Sequence, residues 1–457
     1  MGTKSRRQCV LFEEVFAKPV CVALDAESMS SDGGLTLLAA LDRGIGLSSD
    51  LLVAVVDPRD GTRIDYTFEE LFGQRCLGIA QAYSDGNDAA RLSGDPMLKL
   101  ALGRDPVSGD DLASQSTISR FENAITARQA VAMGRRFEAF VIDRLGRRHR
   151  RARVVTIDLD STVDPTHGKQ QLSLFNGFYD SWCYLPLVGF LSIDGDPEQY
   201  LFHARLRPGN SRDVRGVVPL LRRTVADLRR KFRKVKIRVR ADAGFYHPML
   251  LDVLEELGVE YAVAMPKNAA LARIAAPWMT ITRTLGKRLG ETQTLYGEGQ
   301  YRARSWRRER RVVCKAEVLY YSGRSVKDNE RFVITNRSRL SPENTYSWYC
   351  ERGDSENRIK ELKHDLSIDR TSCSRFVANQ FRVLMTAAAY ALFQELRWRL
   401  RKTEASRWSV ARLRDMLLKV AVRVTSSVRR FVCHLPADLP WGDLWRRAAL
   451  ACGAAPG

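Results

Sequence analysis

The spacing of hydrophobic residues changes near residue 150 of the chain. Before that point, segments such as GLTLLAALDRGIGL and AITARQAVAMGRRFEAFVIDRLGRR repeat apolar positions every three to four residues, which predicts amphipathic helices. We therefore expect a helical N-terminal region over residues 1–148, with a DNA-binding role. Within it, SQSTISRFENA has Ser and Thr ahead of Glu122, which is typical of a capped helix start; a helix that reads a DNA groove is the alternative.

After residue 150 the apolar segments shorten to the length of strands. ARVVTIDLDSTVD is an apolar strand that ends in acids, and WCYLPLVGFLSID followed by YLFHARLRPG predicts a hairpin. Helical and strand patterns then alternate through KVKIRVRADAGF, PMLLDVLEELG and VEYAVAMPKN. Three consecutive strands followed by this alternation predict an α/β fold, in which helices pack on a mixed sheet.

Residues 270–340 interrupt that alternation. They form a run of β-leaning segments with turns and dense arginine, which predicts a β-rich insertion between two parts of one α/β domain, residues 149–269 and 341–403. The second part contains YCERGDSENRIKELK, which reads as a helix, and then an apolar helix whose longest run, VLMTAAAYALF, is too short to span a bilayer. A small helical tail is expected over residues 404–457.

The charge of the chain changes this picture by indicating a partner. Its 73 Lys and Arg against 53 Asp and Glu give a net charge of +20, which favours a polyanion such as nucleic acid; arginine-rich codon usage is the alternative. The nine cysteines are scattered without a CxxC pair, which fits a reducing compartment and excludes a zinc-finger framework. Acids interrupt any signal core in MGTKSRRQCVLFEEVF, so we expect a cytoplasmic, nucleoid-associated protein with no membrane partner.

Acidic residues follow two of the predicted strands. Asp158 and Asp160 lie two residues apart at the end of TIDLDST, so both point to one face of the sheet. Asp242 ends the strand KIRVRA before a sharp turn at AGF. An acid at the carboxyl edge of an open sheet lies where ligands bind, and the alternative for each acid is a turn or helix cap.

One further acid is distinguished by its position on the predicted helix of residues 349–363. At about 100° per residue, four side chains fall within an arc of roughly 60°. These are Tyr349, Arg352, Glu356 and Lys363. Glu356 is the acid of this segment that shares a face with the aromatic hydroxyl and the two cations, whereas solvated charge pairing is the alternative interpretation.

Three carboxylates brought together would repel one another unless a cation joins them. Hard oxygen ligands suit Mg²⁺ or Mn²⁺, and two such ions about 4 Å apart support phosphodiester chemistry. Arg352 and Lys363 would then bind the phosphates of the strand that is cut. Asp160, Asp242 and Glu356 are therefore the candidate metal ligands.

Two other segments are candidates for DNA contacts. SWRRERR combines Trp306 with Arg307 and Arg308, a pattern that suits a DNA end; a charged strand edge that resists aggregation is the alternative. LRPGNS places Arg207 and Asn210 around a Pro-Gly turn near the predicted catalytic edge, where they would position the scissile strand.

These motifs together resemble a known family. Tyr349, Arg352, Glu356 and Lys363 match the Tyr-Arg-Glu-Lys signature of the DDE transposases of bacterial insertion sequences. The chain is more closely similar to the thirteen-eighty family of these transposases, over residues 25–400. The similarity lies in the blocks SDGGLTLLAALDRGIGL, DPMLKLALGR, STISRFENA, IDLDSTVDPTHGKQ, YLPLVGF, LRPGNS and ADAGFY.

The resemblance implies a ribonuclease H-like catalytic core with a β-rich insertion, and Asp160, Asp242 and Glu356 as the metal-binding triad. It favours Asp160 over Asp158 because small hydroxyl residues, Ser161 and Thr162, follow the former. It also implies a homodimer that uses two Mg²⁺ or Mn²⁺ ions to cut double-stranded DNA at terminal inverted repeats. The 3′-hydroxyl then attacks target DNA directly.

Three alternatives remain open at the level of sequence. The same core would serve a metal-dependent nuclease that cuts without joining, or an inactive domesticated DNA-binding protein. Excision through a DNA hairpin would need a flipped base stacked on an aromatic side chain, for which Trp278, Trp306 and Trp348 are candidates.

Overall fold

The computed structural model describes residues 10–12, 20–23, 25–194, 196–211, 214–321 and 325–456. Most of the N-terminal segment in which the sequence argues against a signal core lies outside these residues. The chain forms two compact units. The first comprises residues 1–48, 58–121 and 395–457, and the second comprises residues 49–57 and 122–394.

The strands of the described residues are numbered along the chain. They are β1 (Val10–Phe12), β2 (Val20–Val22), β3 (Met29–Ser30), β4 (Val154–Ser161), β5 (Asp164–Pro165), β6 (Leu174–Asn176), β7 (Ser181–Tyr184), β8 (Leu187–Ile193), β9 (Gln199–Arg205), β10 (Lys236–Ala241), β11 (Glu260–Met265), β12 (Gln293–Tyr301), β13 (Arg310–Leu319), β14 (Lys327–Thr335), β15 (Val422–Ser427) and β16 (Arg430–His434).

The helices are numbered in the same way. They are α1 (Leu35–Ile45), α2 (Leu47–Leu52), α3 (Phe68–Ala80), α4 (Asp88–Arg91), α5 (Pro96–Ala101), α6 (Gln115–Ala124), α7 (Ala127–Arg148), α8 (Val214–Lys231), α9 (Pro248–Glu256), α10 (Ala269–Leu289), α11 (Pro342–Cys350), α12 (Gly353–Lys360), α13 (Phe376–Arg399), α14 (Val410–Leu413) and α15 (Gly442–Ala451). Short 3₁₀ turns occur at Gly61–Arg63, Ala243–Phe245 and Glu404–Arg407, and π-helical turns at Glu361–Asp365 and Arg414–Leu418.

The second unit is built on one eight-stranded mixed sheet. Its strand order is β12-β13-β14-β11-β10-β4-β8-β9, in which β4, β10 and β11 run parallel and the other neighbours are antiparallel. The central strand β4 is apolar and fully enclosed, with Val155, Ile157 and Leu159 at 0% exposure. Helix α7 packs on β9 and on α8, and α10 packs on β12 and β13. The predicted mixed sheet with packed helices is confirmed.

A second, small sheet follows β4 in the same unit. Its order is β5-β7-β6, and both pairings are antiparallel. An isolated bridge joins Tyr184 at the end of β7 to Pro208 after β9. The chain therefore passes from the end of β4 through this small sheet before it returns to the central sheet as β8.

The first unit combines helices with short strands. Strands β16, β15 and β3 form a three-stranded sheet, and β1 pairs with β2. Thr67 and Glu70 form a capping box at the start of α3. Glycine is required at position 34, because a Cβ atom there would lie 1.9 Å from the backbone oxygen of Leu417.

The structure differs from the expected organisation in two regions. Residues 270–340 begin with the long helix α10, and their strands β12 to β14 extend the central sheet, with β14 paired to β11. The tail expected to be helical contains the β15–β16 hairpin. Pairing partners depend on tertiary contacts, and periodicity along the chain does not report them.

Helix α13 is buried over most of its length. Among the described residues it is the helix that is long and apolar enough to cross a membrane by length and composition, but 83% of its apolar window is buried inside the protein. A core helix of a folded domain has the same composition, because it is apolar on most of its surface.

Candidate active site

The first two predicted acids lie at neighbouring strand ends. Strands β4 and β10 are parallel, with Leu159 opposite Ala241, so Asp160 and Asp242 follow on the same edge of the sheet. Asp160 is buried, and its Oδ1 accepts a hydrogen bond from the backbone N–H of Ser161 at 2.9 Å. Asp242 is half-buried, and its Oδ1 caps the following 3₁₀ turn by accepting from the Gly244 N–H at 2.9 Å.

Arg352 connects Asp160 to the third predicted acid. Its Nη1 donates to Asp160 Oδ2 at 2.6 Å, and its Nη2 lies 3.8 Å from Glu356 Oε1. Its Cζ lies 6.0 Å from the centroid of the Tyr349 ring, at the outer limit of a cation–π contact. Glu356 itself is exposed, with 60% of its side chain open to solvent. A guanidinium therefore stands between an enclosed acid and an exposed one.

Burial and charge act against each other at this site. Burial raises the pKa of Asp160 to about 6; the Arg352 guanidinium opposes that shift, and the nearby Asp242 carboxylate adds to it. Burial disfavours the charged form of Arg352, but Asp160 and the Tyr349 hydroxyl raise its pKa above the ordinary value. Burial likewise raises the pKa of Tyr349. Negative charge is thus concentrated where solvent is scarce, which is a common property of catalytic sites.

The segment predicted as one helix is broken in the structure. Helix α11 ends at Cys350 and α12 begins at Gly353, so Arg352 is the residue before the first turn of α12. Arg352 still lies near both Tyr349 and Glu356, the two residues predicted to share its helix face. Lys363 lies in the π-helical turn after α12, and its side chain reaches the loop after β4.

Lys363 is engaged by the protein itself. Its Nζ donates to the backbone oxygen of Val163 at 2.8 Å and lies 3.6 Å from Asp369 Oδ2. This contact ties the loop after β4 to the π-helical turn. The predicted contact of Lys363 with DNA phosphate stays a prediction.

A buried ion pair holds the broken helix against the sheet. Arg240 on β10 donates from Nε and Nη2 to the two oxygens of Asp158 at 2.7 and 2.9 Å, and Asp158 is 0% exposed. The Nη1 of Arg240 donates to the Trp348 carbonyl at 2.8 Å and to Glu351 Oε2 at 2.9 Å. Asp158 and Arg240 therefore have a structural role, while the acids two residues further along each strand reach the edge.

Sequence reasoning did not identify Arg240 as the partner of Asp158. The signal was present, since an arginine inside the apolar strand KIRVRA is a residue type that is almost never buried unless it is paired. The spacing was informative too: Arg240 and Asp158 occupy adjacent positions on β10 and β4.

Arg207 lies next to the strand end. Its Nη2 donates to Ser161 Oγ at 2.7 Å and its Nε to the Leu185 carbonyl at 2.9 Å. Asn210, its companion in the LRPGNS turn, is exposed. The turn therefore stands beside Asp160, as the sequence predicted, and its contact with DNA stays a prediction.

The SWRRERR segment is placed differently from its predicted stacking role. Trp306 is only 3% exposed, and its ring packs 5.2 Å from the ring of Tyr301. Arg307 is exposed, and Arg308 is exposed but lies 3.0 Å from Glu255 Oε2. The arginines remain accessible to phosphate, whereas the indole ring is covered in this conformation.

The other two tryptophans suggested for base stacking also contact the protein. Trp348 is 7% exposed and packs below Arg337, whose Cζ lies 4.4 Å from the ring centroid. Trp278 lies so close to Gly297 that a Cβ atom there would fall 2.1 Å from its ring. Neither ring is a freely accessible face.

The donor set has the chemistry of a site for a hard divalent cation, because Asp160, Asp242 and Glu356 supply carboxylate oxygens. The position of Arg352 shows that positive charge is favourable between Asp160 and Glu356. Among the residues that the structure describes, no group of three His, Cys, Asp or Glu side chains is arranged to hold a metal ion. The three carboxylates are thus of the type that binds such a cation, while the Arg352 guanidinium occupies part of the space between Asp160 and Glu356.

Comparison with known proteins identifies the family. The model of the family "Transposase DDE domain group 1" matches residues 12–452, nearly the whole chain. The chain therefore belongs to this family of DDE transposases. No curated protein sequence matches it.

Solved structures give weaker similarities. A piggyBac transposase synaptic complex with hairpin DNA has 12% identity and a TM-score of 0.37, covering 79% of this chain and 74% of that one. The Mos1 transposase paired-end complex with the left transposon end has 17% identity and a TM-score of 0.16, covering 51% of this chain and 69% of that one. A pre-cleavage Mos1 transpososome gives the same values.

The Asp158–Arg240 pair predicts a non-additive effect on stability. Arg240→Ala leaves a buried carboxylate without its cation, so we expect it to lower the free energy of unfolding by about 3–5 kcal/mol. The double variant Asp158→Ala/Arg240→Ala should lose less than the sum of the two single variants, as measured by urea denaturation. The matched control is Arg222→Ala, which removes an exposed arginine bound to both oxygens of Glu256 and should cost far less. Additive losses would contradict this account of the pair.

Asp164 predicts a pH dependence of stability. It is fully buried on β5 and accepts a hydrogen bond from Thr371 Oγ1 at 2.8 Å, and burial raises its pKa far above the ordinary value of an aspartate, to about 8. The folded state therefore holds a proton that the unfolded state releases above its own pKa, so this contribution to stability is complete at low pH and is lost as pH rises towards 8. Asp164→Asn should remove it. We expect the stability of the variant relative to wild type to increase between pH 4 and pH 8 in thermal unfolding; a constant difference would refute the shift.

Proposed function

We propose that the chain is a DNA transposase that cuts the ends of a mobile element at terminal inverted repeats and joins the 3′-hydroxyl to target DNA. The observation that supports this proposal is the position of three acids from distant parts of the sequence, two at one edge of the sheet and one linked to that edge through an arginine. Asp160 and Asp242 lie at adjacent strand ends, and Arg352 links Asp160 to Glu356. Membership of the DDE transposase family supports the same assignment.

Asp160, Asp242 and Glu356 would hold the divalent ions, Mg²⁺ or Mn²⁺, that such a reaction requires. When bound, two ions activate the attacking oxygen and stabilise the leaving oxygen of a phosphodiester. The protein contributes two fixed positions on β4 and β10 and a third on α12. Arg352 holds the acids together by charge before an ion arrives, so binding of an ion competes with its contact to Asp160.

Once released from Asp160, the Arg352 guanidinium would bind a phosphate of the cut strand through its planar fork of donors. Tyr349 lies beside Arg352, with its ring centroid 6.0 Å from the guanidinium carbon. Arg207 and Asn210 would guide the strand beside Asp160, and Lys363 would contribute a further positive charge at the loop after β4. Arg307 and Arg308 are the accessible cations of the more distant SWRRERR segment.

The ribonuclease H-like core implied by the sequence is supported by the mixed sheet and by the position of its acids. Two parallel strands end side by side, and their carboxyl edge is where ligands bind in open α/β sheets. Strands β12 to β14 would act as the predicted β-rich insertion while extending this sheet. We further propose a homodimer that acts on double-stranded DNA in the cytoplasm of a bacterium, at the nucleoid.

Two other functions share most of these features. A nuclease that cuts without joining would use the same three acids, and an inactive DNA-binding protein would not need them. The contact of Asp160 and Glu356 with one arginine, with Asp242 at the adjacent strand end, favours an active enzyme, because burial of an acid such as Asp160 costs free energy that a DNA-binding role would not require.

The proposal predicts that each of the three acids is needed for cleavage. Asp160→Asn, Asp242→Asn and Glu356→Gln should abolish cutting of DNA that carries the terminal repeats, because each removes an anionic ligand. Binding of the same DNA should be retained, since the phosphates gain rather than lose favourable charge. Gel-based cleavage and fluorescence anisotropy measure the two properties separately.

The matched control is Asp354→Asn, which neutralises an exposed acid two residues before Glu356 on the same helix and should leave cleavage intact. Cleavage that survives in the Asp160 or Asp242 variant would refute the assignment. A donor end with a free 3′-hydroxyl separates the alternatives: joining to target DNA supports a transposase, whereas cutting without joining supports a nuclease.

A further inference from the structure

The hairpin between β6 and β7 presents a cluster of aromatic side chains. We call residues 175–182 the aromatic loop; its aromatic members are Phe175, Phe178, Tyr179 and Trp182. Their exposed fractions are 48%, 88%, 38% and 58% respectively. Exposed apolar surface of this density marks a site of interaction in a folded protein.

The conformation of the loop is set by its own contacts. Asn176 Oδ1 accepts hydrogen bonds from the backbone N–H groups of Phe178 at 3.0 Å and Tyr179 at 3.4 Å. Asp180 closes the turn with a positive φ of 47°. Phe178 is thereby held at the tip of the hairpin, where its ring meets the ring of Tyr179 edge to face at 4.9 Å and stays largely open to solvent, so little ordering is needed before it contacts a ligand.

The aromatic loop lies beside the candidate active site. Asn176 Nδ2 donates to the Gly209 carbonyl at 2.7 Å. Gly209 packs tightly against β7, since a Cβ atom at this position would lie 2.2 Å from the Cys183 carbonyl oxygen. Two residues earlier, Arg207 binds Ser161, the neighbour of Asp160. The loop is therefore fastened to the turn that contacts the end of β4.

Electrostatics give the same location. Partial burial raises the pKa of Tyr179, and the negative charges of Asp242 and Asp160 raise it further. The segment between β5 and β6 of the small sheet carries two exposed polar side chains, His167 and the cationic Lys169. The exposed rings and this cation thus belong to the small sheet that directly follows the strand of Asp160.

This combination suits nucleic acid better than another protein. Aromatic faces stack on bases of any sequence, and nearby cations bind the phosphates between those bases. Of the three tryptophans suggested by the sequence, Trp306 and Trp348 are buried, and the half-buried Trp278 packs against Gly297 of β12, so this role is open to other aromatic side chains. Stacking requires a base that has left its pair, as happens at an end that is being opened or processed.

We propose that the aromatic loop stacks unpaired bases of the DNA strand whose phosphodiester lies at Asp160 and Asp242. This inference rests on the proposed function, because it assumes that the acids act on DNA. Phe178 is the principal stacking residue, as its ring is the most exposed, and Trp182 provides a second face.

The test compares two DNA probes with the full chain. One is a blunt duplex; the other is the same duplex with three unpaired nucleotides at one end, one of them 2-aminopurine. Stacking on one aromatic side chain is worth about 1–3 kcal/mol per base, which corresponds to roughly 5- to 150-fold in affinity. We therefore expect Phe178→Ala and Phe178→Leu to bind the unpaired end at least about fivefold more weakly, while Phe178→Trp restores wild-type binding.

Two further readouts make the result specific. The fluorescence of 2-aminopurine should fall on binding to wild type and to Phe178→Trp, but not on binding to Phe178→Leu, which is apolar but lacks a ring. Phe431→Ala is the matched control, because it removes an exposed phenylalanine from β16 and should leave both probes unaffected.

Several outcomes would overturn the inference. The first is an equal loss of affinity for the blunt and the unpaired probe, and the second is full binding by Phe178→Leu. The third is a changed oligomeric state in light scattering with unchanged affinity for DNA, which would assign the loop to contact with a second copy of the chain. Cleavage assays separate the two proposals: dependence on Asp160 with normal binding by Phe178 variants sinks only this inference. A wild-type chain that binds neither probe refutes both.

Discussion

The set of four hydrogen bonds that the Arg240 guanidinium donates is the interaction on which the site depends. One guanidinium binds both oxygens of Asp158, the Trp348 carbonyl and Glu351, and so fixes the junction of α11 and α12 to two strands of the sheet. Arg352 stands in that junction. This anchor acts together with the contacts of Arg352 with Asp160 and of Lys363 with the Val163 carbonyl, whereas Glu356 itself is exposed and adds little to holding the junction in place.

A second guanidinium has the opposite character. Arg352 bridges the enclosed Asp160 and the exposed Glu356, and its contact with Glu356 is longer than its contact with Asp160. A buried pair such as Asp158–Arg240 is costly to break, whereas the contact of Arg352 with the exposed Glu356 is exchanged readily for other charges. The sheet thus carries one fully enclosed ion pair inside and a second pair at its edge, and the divalent ions and phosphate that we propose for this site would have to displace the second pair.

Much of the site followed from local pattern. Strand-end acids predicted Asp160 and Asp242, and helical geometry related Arg352 to Glu356, because both arguments use only short-range periodicity. The break between α11 and α12 was not predicted, since no proline marks it. The addition of β12–β14 to the central sheet and the burial of Trp306 depend on tertiary pairing. In the sequence, the aromatic residues around Phe178 look like part of any apolar strand. Only the fold shows that their rings are exposed to solvent.

Binding of Mn²⁺, followed by electron paramagnetic resonance without DNA, tests most directly whether Asp160, Asp242 and Glu356 share one cation site that Arg352 fills in the absence of an ion. Wild type should bind Mn²⁺, Asp160→Asn should bind it much more weakly, and Arg352→Gln should bind it more tightly because a competing charge is gone. Mn²⁺ binding that is indifferent to all of these substitutions would contradict the account.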